Sequence, residues 1–256
     1  MRRSVELLEM QFESEIRMLA EKLRGARRVV ALTGAGVSAE SGVPTFRGAD
    51  GLWREFRPEE LATPQAFARD AVLVWEWYDW RRQKVAACAP NDGHRALAEL
   101  GRRSSAPFEF DLVTQNVDGL HRLAGSNPVW ELHGSLWNLR CTDCSRNRED
   151  RRAPLPSIPP RCECGGLERP GVVWFGEALP SDVLAHAFEV ASCADVFLVV
   201  GTSALVQPAA SLPEVAGEQG ALVVEVNPEL TPLSGLVDLR LAGPSAQILP
   251  RILDAL

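Results

Sequence analysis

The 256-residue chain has no run approaching the roughly 20 uninterrupted apolar residues that a membrane-spanning helix needs. Its first residues, Met1-Arg2-Arg3 followed by Glu6, Glu9, Glu13 and Glu15, lack the apolar centre of a secretory signal. A cytoplasmic location with no membrane partner is the expectation. Excess positive charge is also missing: 27 Lys and Arg stand against 34 Asp and Glu, a formal net charge of -7. A general nucleic-acid binder presents a basic domain or stripe to phosphates, so direct nucleic-acid binding is not expected, whereas an acidic surface still suits a basic peptide. Lysine is nearly absent from the basic set, which apart from Lys22 and Lys84 is all Arg, a bias without mechanistic weight. Internal repeats are absent too. What is present, 46% apolar and 24% charged residues with seven Trp, suits a folded globular protein large enough for one domain carrying a smaller insertion.

Val5, Leu8, Phe12, Ile16, Leu19 and Leu23 recur three or four apart, which predicts an amphipathic helix over 5–24 covering a sheet edge. Val29-Val30-Ala31-Leu32-Thr33 then runs as a short apolar strand into Gly34-Ala35-Gly36-Val37-Ser38, a small-residue turn with a helix-start hydroxyl. Further buried strands are predicted at 110–114, 196–200 and 221–226, and continuous apolar runs of this kind suit parallel strands covered on both faces. Helical patterns at 94–100 and 185–190 complete alternating βα units, so the fold class is α/β with a Rossmann-type parallel sheet. Two stretches break the alternation: 45–90, rich in Trp and Arg with turns marked by Pro58 and Pro64, and 137–170, with four cysteines, five prolines and little periodicity. Both read as insertions forming a small domain, with a ligand cleft between it and the carboxyl ends of the strands.

Six cysteines divide into Cys88 and Cys193, which stand alone, and two close pairs. Cys141-x2-Cys144, then Cys162-x-Cys164-Gly165-Gly166, reads as a tetrahedral four-thiolate zinc site ordering a segment too poor in apolar residues to fold unaided. Four protein ligands leave no open position, so this zinc is structural. Gly34-Ala35-Gly36 lets backbone approach a phosphate, although Ala39 stands where a dinucleotide fingerprint has its third Gly, and a plain tight βα connection is the alternative. Gln115-Asn116-Val117-Asp118-Gly119-Leu120-His121 follows a strand, placing Asn116 and Asp118 at a ligand-binding edge or, alternatively, capping the next helix. His133-Gly134 follows the strand-like run 129–132; its near-neutral pKa suits a general base, against the alternative of a structural histidine. In Trp75-Glu76-Trp77-Tyr78-Asp79-Trp80-Arg81-Arg82, Tyr78 and Arg81 share a helix face able to bind a carboxylate; spacing alone serves Arg82 equally, and aromatic core with solvated arginines is the bland alternative.

Taken in order, Gly34-Ala35-Gly36-Val37-Ser38-Ala39-Glu40-Ser41-Gly42-Val43-Pro44-Thr45-Phe46-Arg47, Thr114 to His121, His133-Gly134, the four cysteines, Val172-Val173-Trp174-Phe175-Gly176-Glu177 and Gly201-Thr202-Ser203 closely resemble the sirtuins. Within that family, Ala62, Tyr78 and Arg81 resemble the class whose acyl pocket prefers succinyl, malonyl or glutaryl lysine, which selects Arg81 over Arg82. The resemblance implies one sirtuin-type catalytic domain over 1–256: a Rossmann-type NAD part at about 1–44, 91–136 and 171–256, a helical module at about 45–90 and a zinc module at about 137–170. It implies an NAD-dependent protein-lysine deacylase that consumes NAD as co-substrate and yields nicotinamide, free lysine and 2′-O-acyl-ADP-ribose. The acyl oxygen attacks C1′ of the nicotinamide ribose to form an alkylimidate, with His133 as general base on the ribose hydroxyls and Asn116 and Asp118 beside it.

The same resemblance places Gly34, Ala35, Gly36, Ser38, Glu40, Phe46, Arg47 and Trp53 around the pyrophosphate and ribose. It puts Gln115, Asn116 and Asp118 toward the nicotinamide end. Gly201, Thr202, Ser203 and Asn227 fall to the adenosine half, with Ser245 near the adenine. Val173, Trp174, Phe175 and Gly176 belong to a segment that pairs with substrate backbone as an added strand, so flanking sequence is read loosely. His94, in Pro90-Asn91-Asp92-Gly93-His94, is expected to start a helix without catalysis. The expected partners are acyl-lysine proteins or peptides; a protein ADP-ribosyltransferase on the same NAD site is the alternative, and a zinc-ribbon nucleic-acid binder is disfavoured by the acidic balance.

Overall fold

The computed structural model describes residues 2–45, 57–103 and 108–256, so Phe46, Arg47 and Trp53 lie outside the described residues. Apolar runs in β1 (Arg28–Thr33), β2 (Glu109–Thr114), β3 (Trp130–Glu131), β7 (Val196–Val200), β8 (Leu222–Val226) and β9 (Leu239–Leu241) assemble an all-parallel sheet in the order β3-β2-β1-β7-β8-β9. The chain winds outward from β1 through β2 to β3, returns beside β1 as β7, and winds the other way. The order therefore reverses between β1 and β7, and in such sheets that is where a crevice opens beyond the strand ends.

Alternate side chains of each strand serve opposite layers. Val29 and Ala31 of β1 join Ile16 and Leu19 of α1 (Arg2–Gly25), Leu97 of α6 (Asp92–Arg102) and Ile248 of α10 (Ser245–Asp254). Val30 and Leu32 face Ala187 and Val190 of α8 (Ser181–Ser192) and Leu212 and Ala216 of α9 (Leu212–Glu218). Helix α1 packs on α10 and on the edge strand β9, as its amphipathic pattern requires.

The small domain joins α3 (Pro58–Leu61), α4 (Pro64–Arg69) and α5 (Ala71–Ala86) to an antiparallel sheet, β5-β4-β6, made of β4 (Gly134–Cys141), β5 (Asn147–Glu149) and β6 (Glu168–Val172). Pro58 and Pro64 do not mark turns between helices; each is the first residue of one, where the missing N–H has no intrahelical partner to lose. Thr63 and Asp70 cap α4 and α5 by accepting from Ala66 N and Leu73 N. Phe67, Trp75 and Tyr78 share one core with Leu136, Trp137, Leu139 and Trp174, so the two insertions bury their apolar surface against each other.

Helix α5 turns Val72, Leu73, Glu76, Trp80, Gln83 and Lys84 to solvent, yet neither arginine of its pair belongs to that face: both are buried. Arg82 is 0% exposed; it donates to the carbonyls of Leu136, Asp150 and Arg152 and lies over the Trp137 ring. Arg152 and Arg148 bind the Asp150 carboxylate and hold it well below the usual carboxylate range, while Arg148 also clamps Glu168. Buried charge thus links the helices to the small sheet, and removing one partner of such a group would leave an uncompensated buried charge.

Candidate active site

The loops after the strand ends line one cleft of about 1000 Å³ with the small domain as its opposite wall. At the crossing of β1 and β7 the two turns touch. Gly36 N donates to Gly201 O at 2.7 Å, and a Cβ on Gly34 or Gly36 would stand 2.7 Å from Thr202 Cβ or Gly201 O. Gly201 has φ +58°, and a Cβ there would meet Val37 N at 2.4 Å. The glycines are therefore required by the protein's own second turn, besides any ligand phosphate. Helix α2 (Gly36–Ala39) that follows is only one turn long.

His133 sits between β3 and β4, with Nδ1 3.0 Å from Gln115 O. A carbonyl only accepts, so Nδ1 carries the proton and Nε2 keeps a free lone pair on a residue lining the cleft. Burial lowers its pKa below the ordinary 6.5, against the opposing Gln115 bond, so the ring is neutral near pH 7.

Asn116 lines the cleft but anchors its amide, donating from Nδ2 to Gly34 O at 3.0 Å. Beneath it lies a buried polar chain. The Ser38 hydroxyl, which caps no helix, donates to Asp118 Oδ2 at 2.8 Å and sits 3.2 Å from His94 Nε2. Asp118 also accepts from Leu120 N, the first residue of α7 (Leu120–Leu123); burial raises its pKa, while that bond, Ser38 and Arg81 oppose the rise. His94 completes a capping box with Asn91 at the start of α6, and burial lowers its pKa to about 4. His121, its ring tilted 56° to that of His94 at 4.8 Å, bonds Thr33 and is likewise kept neutral by burial.

Ala62, Tyr78 and Arg81 face the cleft from the small domain, together with Val173, Trp174, Phe175 and Gly176. Of the two arginines that spacing alone leaves equivalent, Arg81 lines the cleft over the Trp77 and Tyr78 rings, whereas Arg82 points into the small-domain core. Burial lowers the Arg81 pKa while Tyr78 and Asp118 favour its charge, and burial raises the Tyr78 pKa. The segment after β6 is not an open strand edge. Val173 N donates to His133 O, Phe175 N to Ala62 O, Trp174 N to Glu177 Oε2 and Glu177 N to Trp174 O. An incoming backbone would therefore meet carbonyl acceptors there.

On the sheet side, Gln115, Gly201, Thr202, Ser203 and Asn227 line the cleft with Gly34, Ala35 and Gly36. Four expected residues do not. Ser38 and Asp118 lie in the buried layer below; Glu40 binds Ala246 N at the start of α10, beside the buried Ser245. Sequence reasoning missed Leu179, Leu184, Leu205, Val206 and the 228–232 loop, which all line the cleft. The one sequence signal for Leu205, Val206 and the 228–232 loop is position, shortly after the Gly201 and Asn227 strand ends, whereas Leu179 and Leu184 lie at the start of the α8 region after β6.

The four cysteine sulfurs lie within 4.8 Å of one another, with Cys141 to Cys164 at 3.5 Å and Cys144 to Cys162 at 3.7 Å. Zinc–sulfur bonds in a tetrahedron place sulfurs about 3.8 Å apart, so the donor set fits one structural zinc ion. The N–H groups of Cys144 and Asp143 point at Cys141 Sγ and bring that thiol down to about 7. Among the described residues no helix is long and apolar enough to cross a membrane.

Fold and site together define a dinucleotide-binding Rossmann enzyme whose small domain is held by a zinc-type cysteine cluster. Residues 34–208 match the Sir2 family. An NAD-dependent protein deacylase of Aquifex aeolicus is 56% identical over 89% of this chain and 95% of its own. A Sir2 homolog–NAD complex superposes with TM-score 0.86 at 51% identity, covering 93% of this chain and 92% of its own. Sir2Af2 bound to a myristoylated histone peptide gives 0.76 at 35%, covering 95% and 96%. The chain belongs to the Sir2 family.

Proposed function

We propose that the protein removes acyl groups from protein lysines in an NAD-dependent reaction and prefers succinyl or malonyl over acetyl. The observation that carries the preference is the buried Tyr78–Arg81 pair on the cleft wall. Bound NAD supplies the ADP-ribose that accepts the acyl group and the nicotinamide that leaves. Gly34, Ala35, Gly36, Gln115, Asn116, Gly201, Thr202, Ser203 and Asn227 would hold it along the strand ends. Ser38, bonded to both Asn116 and Asp118, braces Asn116 from beneath, and Phe46, Arg47 and Trp53 remain candidates for the pyrophosphate and ribose. His133, neutral with Nε2 bare, takes a ribose hydroxyl proton. Val173 to Gly176 receive the substrate backbone, and Ala62 leaves room beside Tyr78 and Arg81 for the acyl chain.

A guanidinium and a phenol buried together are best satisfied by a carboxylate, and a charge-assisted contact of this kind is worth roughly 2–4 kcal/mol, or tens- to several-hundred-fold in specificity. The test is nicotinamide release from NAD with matched succinyl- and acetyl-lysine peptides, products read by mass. Faster release with succinyl and a succinyl-ADP-ribose product are expected. Faster release with acetyl removes the carboxylate pocket, and release independent of any acyl peptide removes deacylation.

A further inference from the structure

We infer that Trp174 is a specificity-determining positioning residue: its indole N–H commits the Tyr78 oxygen as acceptor and leaves the phenol O–H to donate to the acyl group's carboxylate. This rests on the carboxylate-pocket reading above. Trp174 Nε1 lies 3.0 Å from Tyr78 Oη, and both residues are almost wholly buried on the cleft wall. An indole nitrogen only donates, so the direction of this hydrogen bond follows from chemistry. With that lone pair engaged, the hydroxyl proton turns away from Trp174. Arg81 beside it also only donates. A carboxylate offers two acceptor oxygens to donors on this wall, an acetyl methyl none.

The indole is held from several sides. The Arg169 guanidinium stacks 3.5 Å from its ring centre and is gripped by Glu177 at 2.5 and 2.8 Å, and Glu177 Oε2 also accepts from Trp174 N. Phe67 packs against the ring at 5.4 Å. A clasp this complete on a residue whose backbone belongs to the cleft wall is what fixing a hydrogen-bond direction needs.

The experiment is a double-mutant cycle of Trp174→Phe and Tyr78→Phe, reading the ratio of kcat/KM for succinyl-lysine to that for acetyl-lysine. Trp174→Phe keeps an aromatic ring and deletes the N–H; the ratio should fall about five- to tenfold. In the Tyr78→Phe background the same change should leave the ratio where Tyr78→Phe alone puts it, because the indole acts through the phenol. Tyr78 is the chain's single tyrosine, so its phenolate absorbance after a rapid pH jump reports this site alone. Its ionisation should move to higher pH in Trp174→Phe, since the lost donor no longer stabilises the phenolate. An unchanged ratio in Trp174→Phe, additive losses in the cycle, or a phenolate transition that does not move each overturns the inference. If the wild-type enzyme itself favours acetyl, the pocket reading fails separately, and the phenolate transition still decides the hydrogen-bond direction.

Discussion

The two walls of the cleft are built on opposite principles. The sheet wall is backbone and small side chains: glycine turns in contact at the β1–β7 crossing, an imidazole oriented by a carbonyl, and a buried polar chain beneath. The small-domain wall is cationic and aromatic, held by thiolate-spaced cysteines and by buried Arg–Asp and Arg–Glu pairs around Arg82. One wall derives its rigidity from a large apolar core. The other adds a four-cysteine cluster and paired buried charge to an apolar core of its own. On the function proposed, chemistry common to every acyl group belongs to the sheet wall, and choice among acyl groups to the small-domain wall.

Zinc removal should separate the walls most sharply. A structural zinc contributes on the order of 10 kcal/mol to a small domain. Chelation should abolish turnover and lose near-ultraviolet signal from the Trp-rich helices while the parallel sheet keeps its far-ultraviolet signal; full activity after verified zinc loss would show that paired charge alone holds that wall. His133→Ala attacks the other wall and should cut turnover roughly a hundred- to ten-thousand-fold for every acyl peptide alike, with NAD still bound by calorimetry. A selective loss would place His133 in acyl choice instead. Arg81→Met should lower kcat/KM for succinyl-lysine by roughly 2–4 kcal/mol more than for acetyl-lysine, and equal losses would return Arg81 to a structural role.

The smallest effect is on stability. His94 has a folded pKa of about 4 against 6.5 when unfolded, so between those values the unfolded chain binds the extra proton. Its contribution is complete above pH 6.5 and is lost as pH falls toward 4, at about 1.4 kcal/mol per pH unit. His121, also lowered by burial, acts in the same direction. Denaturant melts at stepped pH should show this slope, and it should flatten in His94→Asn; a slope unchanged by that substitution would remove His94 as its source.

Much of this was legible because the signals are local. Strands at 29–33 and 196–200 announce themselves as apolar runs, and the cysteine pairs carry their chemistry in their spacing. Other features lay in relations between distant residues. Ser38 reads as a helix-start hydroxyl, yet it bonds Asp118, 80 positions away. The Gly34 and Gly36 turn reads as a phosphate site, yet what crowds it is Gly201 and Thr202. Pro58 and Pro64 read as turns because proline punctuates both turns and helix starts.

By itself, the order of residues determined a parallel α/β sheet, a four-thiolate cluster, a neutral-range histidine after a strand, and a phenol and guanidinium on one helix. Periodicity and spacing are properties of neighbours along the chain. Only the tertiary structure decided that Arg81 faces the cleft while Arg82 is 0% exposed, that Asp118 lies below the cleft and not on its surface, and that Trp174 donates to Tyr78. A side chain's direction and partner depend on which elements pack beside it, and those come from residues tens of positions away.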